Sequence, residues 1–346
     1  LARATRLLAA RPDQETEMNA SFLTRAASRA PKTYVLAACA ALLAGASQAQ
    51  AHTIVGDRVF PATLAIDDPG VNDELNLPTF TYMTAANPDG SPGSINYSLG
   101  WEYSKTITAD LALSVGSEGY SWQRRPNAYG WGNIETQLKY VMWQDAKSES
   151  IVSTAVSAEW GNTGSPQSAS LPSDPVTTVT FKLFAGKGFG DAAADWLKPF
   201  AITGEFDFTV PTRSSNSDGS LNPTTVTYGA TLQYSLLYMN AHVREVPELF
   251  RRLIPAFEAT FTTPVSNLEP SIPGEFGTNV TTGVVGPSLY YVGNNFQLGV
   301  MAQIPINSAS GAHVGVMASV DFYLDDIAPN SIGKPLFGAP QARGRY

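Results

Sequence analysis

Residues 95–103 put Ile95, Tyr97, Leu99, Trp101 and Tyr103 on one side of an extended chain, and Asn96, Ser98, Gly100 and Glu102 on the other. Successive side chains of a strand point to opposite faces, so this segment offers one side to an oily solvent and one to water. The same period of two returns in about twelve stretches between residues 76 and 323, and its apolar side is large and often aromatic. No stretch carries the apolar stripe of a helix that could cover such a face. The sequence therefore predicts an all-β fold, a transmembrane antiparallel β-barrel of about twelve strands whose oily face meets lipid.

The expected strands can be walked along the chain. A weak first strand at 76–84 precedes the one at 94–104, and 107–116 follows with Ile107, Leu111, Leu113 and Val115 outward. Residues 131–143 turn Ile134, Leu138, Tyr140 and Met142 out and Glu135, Gln137 and Lys139 in. Strands at 151–160, 177–187 and 199–210 come next, the last showing Phe200, Ile202, Phe206 and Phe208 against Thr203, Glu205, Asp207 and Thr209. The second half adds 224–239, 253–263, 279–291, 295–306 and 312–323.

Loop lengths give an independent sign of the same architecture, because outer-membrane barrels alternate short periplasmic turns with longer outside loops. The segments 85–93, 117–130, 161–176, 211–223 and 264–278 are rich in Gly, Pro, Ser and Asn, whereas Lys105-Thr106 and Gly293-Asn294 read as tight turns. Residues 240–252 interrupt the alternation with a longer connection on the short side.

Export is written upstream of the strands. Met18 opens a segment with Arg25, Arg29 and Lys32, followed by an apolar run from Tyr34 to Ala46 and by Ala49-Gln50-Ala51. This reads as a secretory signal peptide cleaved before His52, with residues 1–17 an upstream extension, so that 1–51 stands apart from the fold. Leu36-Ala37-Ala38-Cys39 also resembles a lipoprotein box, but its apolar run continues past the cysteine. A spanning helix needs about 20 apolar residues, more than this run has. Cys39 is the only cysteine of the 346 residues, so a chain starting at His52 has no disulfide, thiolate or cysteine-metal chemistry. That chain holds 16 basic and 27 acidic residues, a formal charge of −11, which argues against nucleic acid as a partner. The partners expected are outer-membrane lipid, a small-molecule solute and the barrel assembly machinery, with localisation in a bacterial outer membrane. No cofactor or metal is expected.

A twelve-strand wall encloses more space than side chains alone fill in the eight-strand kind, so something must occupy or narrow it. Candidate lumen-lining residues are Glu102, Asp110, Glu135, Lys139, Lys182, Glu205, Asp207 and Asp321. Two readings stand side by side: an acid-biased solute path, or lysines that brace the wall by pairing with carboxylates. Residues 52–75 mix Ile54, Val55, Val59, Phe60, Leu64 and Ile66 with Asp67, Asp68, Asp73 and Glu74, without strand period. They can serve as a plug inside the barrel or as a periplasmic tether. The barrel is taken as 76–323, and the polar, Pro-containing residues 324–346 as a periplasmic tail outside the wall, with a further strand ending at Phe337 as the alternative.

Catalysis is poorly provided for. His52, His242 and His313 are the only histidines, and neither a Gly-x-Ser-x-Gly elbow nor a His-Glu-x-x-His pair is present. An amino-terminal His52 could chelate copper, but it also simply follows the cleavage site.

One segment resembles a known family. Gly130-Trp131-Gly132-Asn133-Ile134-Glu135-Thr136-Gln137-Leu138-Lys139-Tyr140 is similar to the Gly-x-Gly-Asp-(five residues)-Lys-Tyr segment of outer-membrane proteins linked to meta-pathway phenol degradation, with Asn133 where that family often has Asp. The resemblance extends loosely over 76–323 through strand spacing. It implies passive passage of small hydrophobic or aromatic compounds. A barrel hydrolase and a non-transporting scaffold for a partner protein are the alternatives.

Overall fold

The computed structural model describes residues 53–86, 93–268 and 279–338. The leader, His52, parts of two long loops and the last eight residues lie outside the described residues. A short hairpin, β1 (Thr53–Val55) and β2 (Arg58–Phe60), comes first. The wall then runs through β3 (Glu74–Thr84), β4 (Ile95–Thr108), β5 (Leu111–Arg124), β6 (Ala128–Trp131) and β7 (Ile134–Asp145). It continues with β8 (Ser150–Trp160), β9 (Thr178–Gly188), β10 (Phe200–Pro211) and β11 (Thr224–Tyr234). After α1 (Leu236–His242) come β12 (Leu253–Ser266), β13 (Thr282–Val292), β14 (Phe296–Pro305), β15 (Gly315–Tyr323) and α2 (Leu324–Ile327).

Every wall strand is antiparallel to its neighbours, and β15 pairs with β3, Val316 opposite Tyr82 and Phe322 opposite Leu75, so the sheet closes. β6 and β7 both pair with β5 and together make one interrupted wall strand, which gives a closed barrel of twelve. Closure leaves no open edge, the condition for backbone in hydrocarbon. Leu99, Leu113, Leu138, Tyr140, Phe181, Leu183, Ile202, Phe206, Leu232, Phe257 and Leu298 all stand exposed on the outside of this wall. In water so continuous an apolar band would be an aggregation surface; in a bilayer it is the lipid face.

The break between β6 and β7 faces a bulge. Leu99 pairs with Tyr120 and Trp101 with Ser117, so β5 carries one extra residue there, and Gly119 takes it up at φ +72°. The extra residue shifts the alternation by one. Leu113 and Val115 point out before it and Tyr120 and Trp122 after it, where Tyr120 meets Trp131 edge-on and Tyr97 stacks on Trp122. A Cβ on Gly119 would lie 1.8 Å from the Leu99 carbonyl oxygen. Gly119→Ala is therefore expected to cost about 1–3 kcal/mol, read as a lower urea midpoint for loss of the heat-modifiable band; an unchanged midpoint contradicts the assignment.

Three expectations are corrected. The turn expected at Lys105-Thr106 lies at 109–110, because β4 continues to Thr108. The loop expected over 117–130 is mostly strand, its polar Ser117, Ser121 and Gln123 lining the inside of a taller wall. The strand expected to reach residue 239 stops at Tyr234: the Ser235 hydroxyl accepts from Tyr238 N at 3.1 Å and caps α1, which turns Tyr238 inward. Beyond α2, residues 328–338 form no strand; Leu336 N and Phe337 N donate to the carbonyls of Thr106 and Ile107 at the end of β4.

Candidate functional site: the lumen and its inner segment

Residues 53–73 reach inward-facing side chains all around the wall. Val55, Phe60 and Val71 form an apolar cluster with Ala112, Val141, Ile151 and Ala201, contributed by β5, β7, β8 and β10. This explains why the segment mixes apolar residues without strand period: it fills space inside a barrel and does not belong to its wall.

Arg58 fixes the hairpin. It is fully buried; its Nε donates to Glu149 Oε2 at 3.0 Å, its Nη1 to Pro199 O at 3.1 Å and its Nη2 to Lys198 O at 2.5 Å. Its guanidinium lies 3.9 Å from the centre of the Tyr238 ring, a cation–π contact. Burial, and next the Glu149 carboxylate, push the Tyr238 hydroxyl up to about 12.

The rest of the segment is tied by buried acceptors of the wall. Glu258 on β12, with no exposed surface, accepts from Leu64 N at 3.1 Å and Ala65 N at 2.8 Å, and from the Tyr290 hydroxyl of β13. Asp67 N donates to Glu205 Oε2 at 2.8 Å, Gln297 Nε2 to Ala62 O at 2.7 Å, and the Ser153 hydroxyl to Pro69 O. A buried carboxylate is tolerated where several donors converge on it, and Glu258 meets that condition through the segment's backbone.

Lys139 Nζ, on β7, lies 2.7 Å from Asp67 Oδ2 and donates to Asp68 O at 2.8 Å. Burial alone raises the Asp67 carboxyl, but Lys139 and, behind it, Lys182 outweigh burial and hold it below the usual aspartate range. Asp68, which accepts from the Thr53 hydroxyl and Gly70 N, is pushed upward by burial. For Asp67 the folded value is depressed, so its pairing contributes above the free aspartate value of about 3.9 and is lost as pH falls through the folded value. The 53–73 amides are expected to keep their exchange protection from neutral pH down to about 4 and to lose an acid-sensitive part below it, a step absent in Lys139→Met. Loosening that starts well above this range, or a step that persists in the variant, would contradict the pairing.

Above the segment lies a cavity of about 870 Å³. Of the candidate lumen residues, Glu102, Glu135, Lys182, Glu205, Asp207 and Asp321 line it, with Ala62–Asp67 contributing part of the boundary. Lys139 sits deeper, buried beside Asp68 and over the Phe184 ring. Asp110 does not join them: it occupies the turn between β4 and β5, where its carbonyl accepts from Val141 N. Lys182 Nζ stands 3.9 Å from both Glu135 and Glu205. Arg58, Glu149, Ser153, Glu258, Tyr290 and Gln297 were not among the candidates. Glu258 and Gln297 follow outward Phe257 and Phe296, so period two marks both as inward, whereas nothing in the sequence pairs Arg58 with a residue 91 positions away.

Of the histidines, His242 lies on α1 with Nδ1 3.9 Å from Asp57, and His313 donates its backbone N–H to the Thr84 hydroxyl. Neither lines this cavity. The 130–140 segment ends β6, crosses the break and enters β7. There Asn133 Nδ2 donates to Glu159 Oε1 at 3.0 Å and Asp174 O at 2.9 Å, which an aspartate cannot do.

The closed wall, lipid band and polar interior define a transmembrane β-barrel of the kind found in bacterial outer membranes. Solved structures with similar folds include the NanC porin (7% identity, TM-score 0.44, covering 72% of this chain and 98% of that one). The outer membrane protein OprD from Pseudomonas aeruginosa is similar at 13% identity and TM-score 0.34, over 77% of this chain and 69% of its own. The β domain of the Bordetella autotransporter BrkA is similar at 10% identity and TM-score 0.38, over 72% and 98%. No protein-family model and no curated protein sequence matches the chain, so the resemblance to the phenol-degradation family is carried by residues 130–140 and the strand spacing.

Proposed function

We propose that this protein is an outer-membrane channel for passive passage of small molecules, hydrophobic or aromatic ones foremost, and that residues 53–73 act as its plug on the periplasmic side. The observation that carries this reading is the cavity of about 870 Å³ enclosed by the wall strands and bounded below by the docked segment. A lumen built only for mechanical stability has no use for such a space. The cargo class is supported by the 130–140 resemblance and by apolar surface in the cavity boundary, from Leu64 and Ile66 of the segment and Met83 and Met317 of β3 and β15. Lys139, the lysine of that resemblance, is also the residue that holds Asp67, so the segment has a defined place to leave and return to.

The test is conductance of the purified protein in planar bilayers, run beside uptake of a small aromatic hydrocarbon by cells with and without the gene. Steps of conductance and gene-dependent uptake are expected. A silent bilayer together with equal uptake in both strains would end the channel reading.

A further inference from the structure

The cavity wall carries far more acceptors than its own donors satisfy. Eight carboxylates face it among the described residues, with Lys182 as the lysine on its wall. Asp207 sits directly opposite Lys182 in the β9–β10 register, yet that ammonium stands between Glu135 and Glu205, 3.9 Å from each. Asp207 is 8% exposed; its carboxyl is hydrogen-bonded to that of Glu205, while its Oδ1 is buried with no donor on it. Glu74 Oε2 on β3 and Gln137 Oε1 on β7, both also in the cavity lining, are in the same condition. Buried polar atoms are paired in nearly all folded proteins, and an orphaned anion oxygen is the costliest exception.

The orphaned atoms are all oxygens and all point the same way chemically: toward a ligand that brings N–H donors and positive charge. We propose that the lumen cavity is a binding site for small organic cations bearing several N–H groups, of the diamine or guanidine class. The ammonium or guanidinium end donates to Asp207 Oδ1 and to the carboxylates that share Lys182, and charge-assisted bonds of this kind are about twice as strong as neutral ones. The carbon stem lies against the apolar surface of Met83, Met317 and Leu64. The inference rests on the channel reading and narrows its cargo to solutes that join an apolar body to a protonated nitrogen.

The test is calorimetric titration of the full chain in detergent with 1,4-diaminobutane, and with its fully N-methylated analogue of equal charge and spacing, at low ionic strength. Saturable binding of the diamine is expected. The methylated analogue should bind at least about tenfold more weakly, because it keeps the charge and loses every N–H donor. Asp207→Asn should weaken diamine binding by about tenfold or more, while Asp218→Asn, the same charge change on an exposed loop, leaves it unchanged. Glu135→Gln serves as a second cavity variant, and heat-modifiable gel mobility verifies folding of each. No saturable binding, equal binding of both compounds, or equal losses in Asp207→Asn and Asp218→Asn would overturn the proposal. Binding without bilayer conductance leaves the cation site standing and removes the channel; conductance without binding does the reverse.

Discussion

Arg58→Met is expected to release the β1–β2 hairpin from the barrel interior, with amide exchange of residues 53–60 accelerated by two to three powers of ten. The arginine is fully buried and its partner Glu149 is 4% exposed, so removing one charge leaves the other in a medium that cannot solvate it. Breaking a buried pair from one side costs about 3–5 kcal/mol. The loss is larger than for a surface pair because two further donations, to Lys198 O and Pro199 O, and the Tyr238 contact go with it. Replacing both partners, Arg58→Met with Glu149→Leu, should recover most of the protection, because an apolar pair of similar volume needs no solvation. In bilayers the single variant should show larger or longer openings than the native chain. Unchanged exchange together with unchanged conductance would show that the hairpin is held by its apolar cluster alone.

The barrel was legible because its chemistry has the period of its geometry. Leu99, Leu113, Leu138, Phe181, Phe206 and Leu298 are exposed where alternation placed them outward, and the residues next to them along each strand face the lumen. Alternation fails where the backbone slips by one residue. The bulge at Gly119 resets the parity of β5, so the polar residues after 116 look like loop when the wall in fact continues. It fails also where a local hydrogen bond overrides an apolar pattern: Leu236 and Tyr238 continue the strand rhythm of Tyr228–Tyr234, but the Ser235 cap starts a helix and puts Tyr238 over Arg58.

The site was legible in its residue types and obscure in its pairings. Glu102, Glu135, Lys139, Lys182, Glu205, Asp207 and Asp321 could be named from the polar face of their strands, since period two fixes the direction of each side chain. Which carboxylate meets which lysine depends on strands brought together by closure and on a segment threaded between them. Lys139 meets Asp67, 72 residues earlier, and Glu258 meets Leu64 and Ala65 across more than half the chain. Contacts of that separation leave no local trace in sequence.

The second large effect falls on the opposite face of the wall. Leu183 sits at the centre of β9, paired with Phe206 at the centre of β10, and is 48% exposed on the lipid side. A charged side chain at the midplane of a barrel's lipid face costs about 2–4 kcal/mol, because hydrocarbon offers it no partner and an arginine at mid-strand has the longest path to the interface. Leu183→Arg should therefore lower the ratio of folded to unfolded barrel in liposomes by about 30- to 1,000-fold, read from heat-modifiable gel mobility across a urea series. Thr81→Arg adds the same charge on the cavity side of β3, where water and several carboxylates receive it. That variant should fold almost as well as the native chain, since lumen substitutions weigh far less on stability than lipid-facing ones, and any change should fall on the passage proposed above. If the two variants unfold alike, or Thr81→Arg is the worse, the assignment of inside and outside is reversed. The lumen site, the docked segment and the cation proposal all depend on that assignment, so this comparison decides them together.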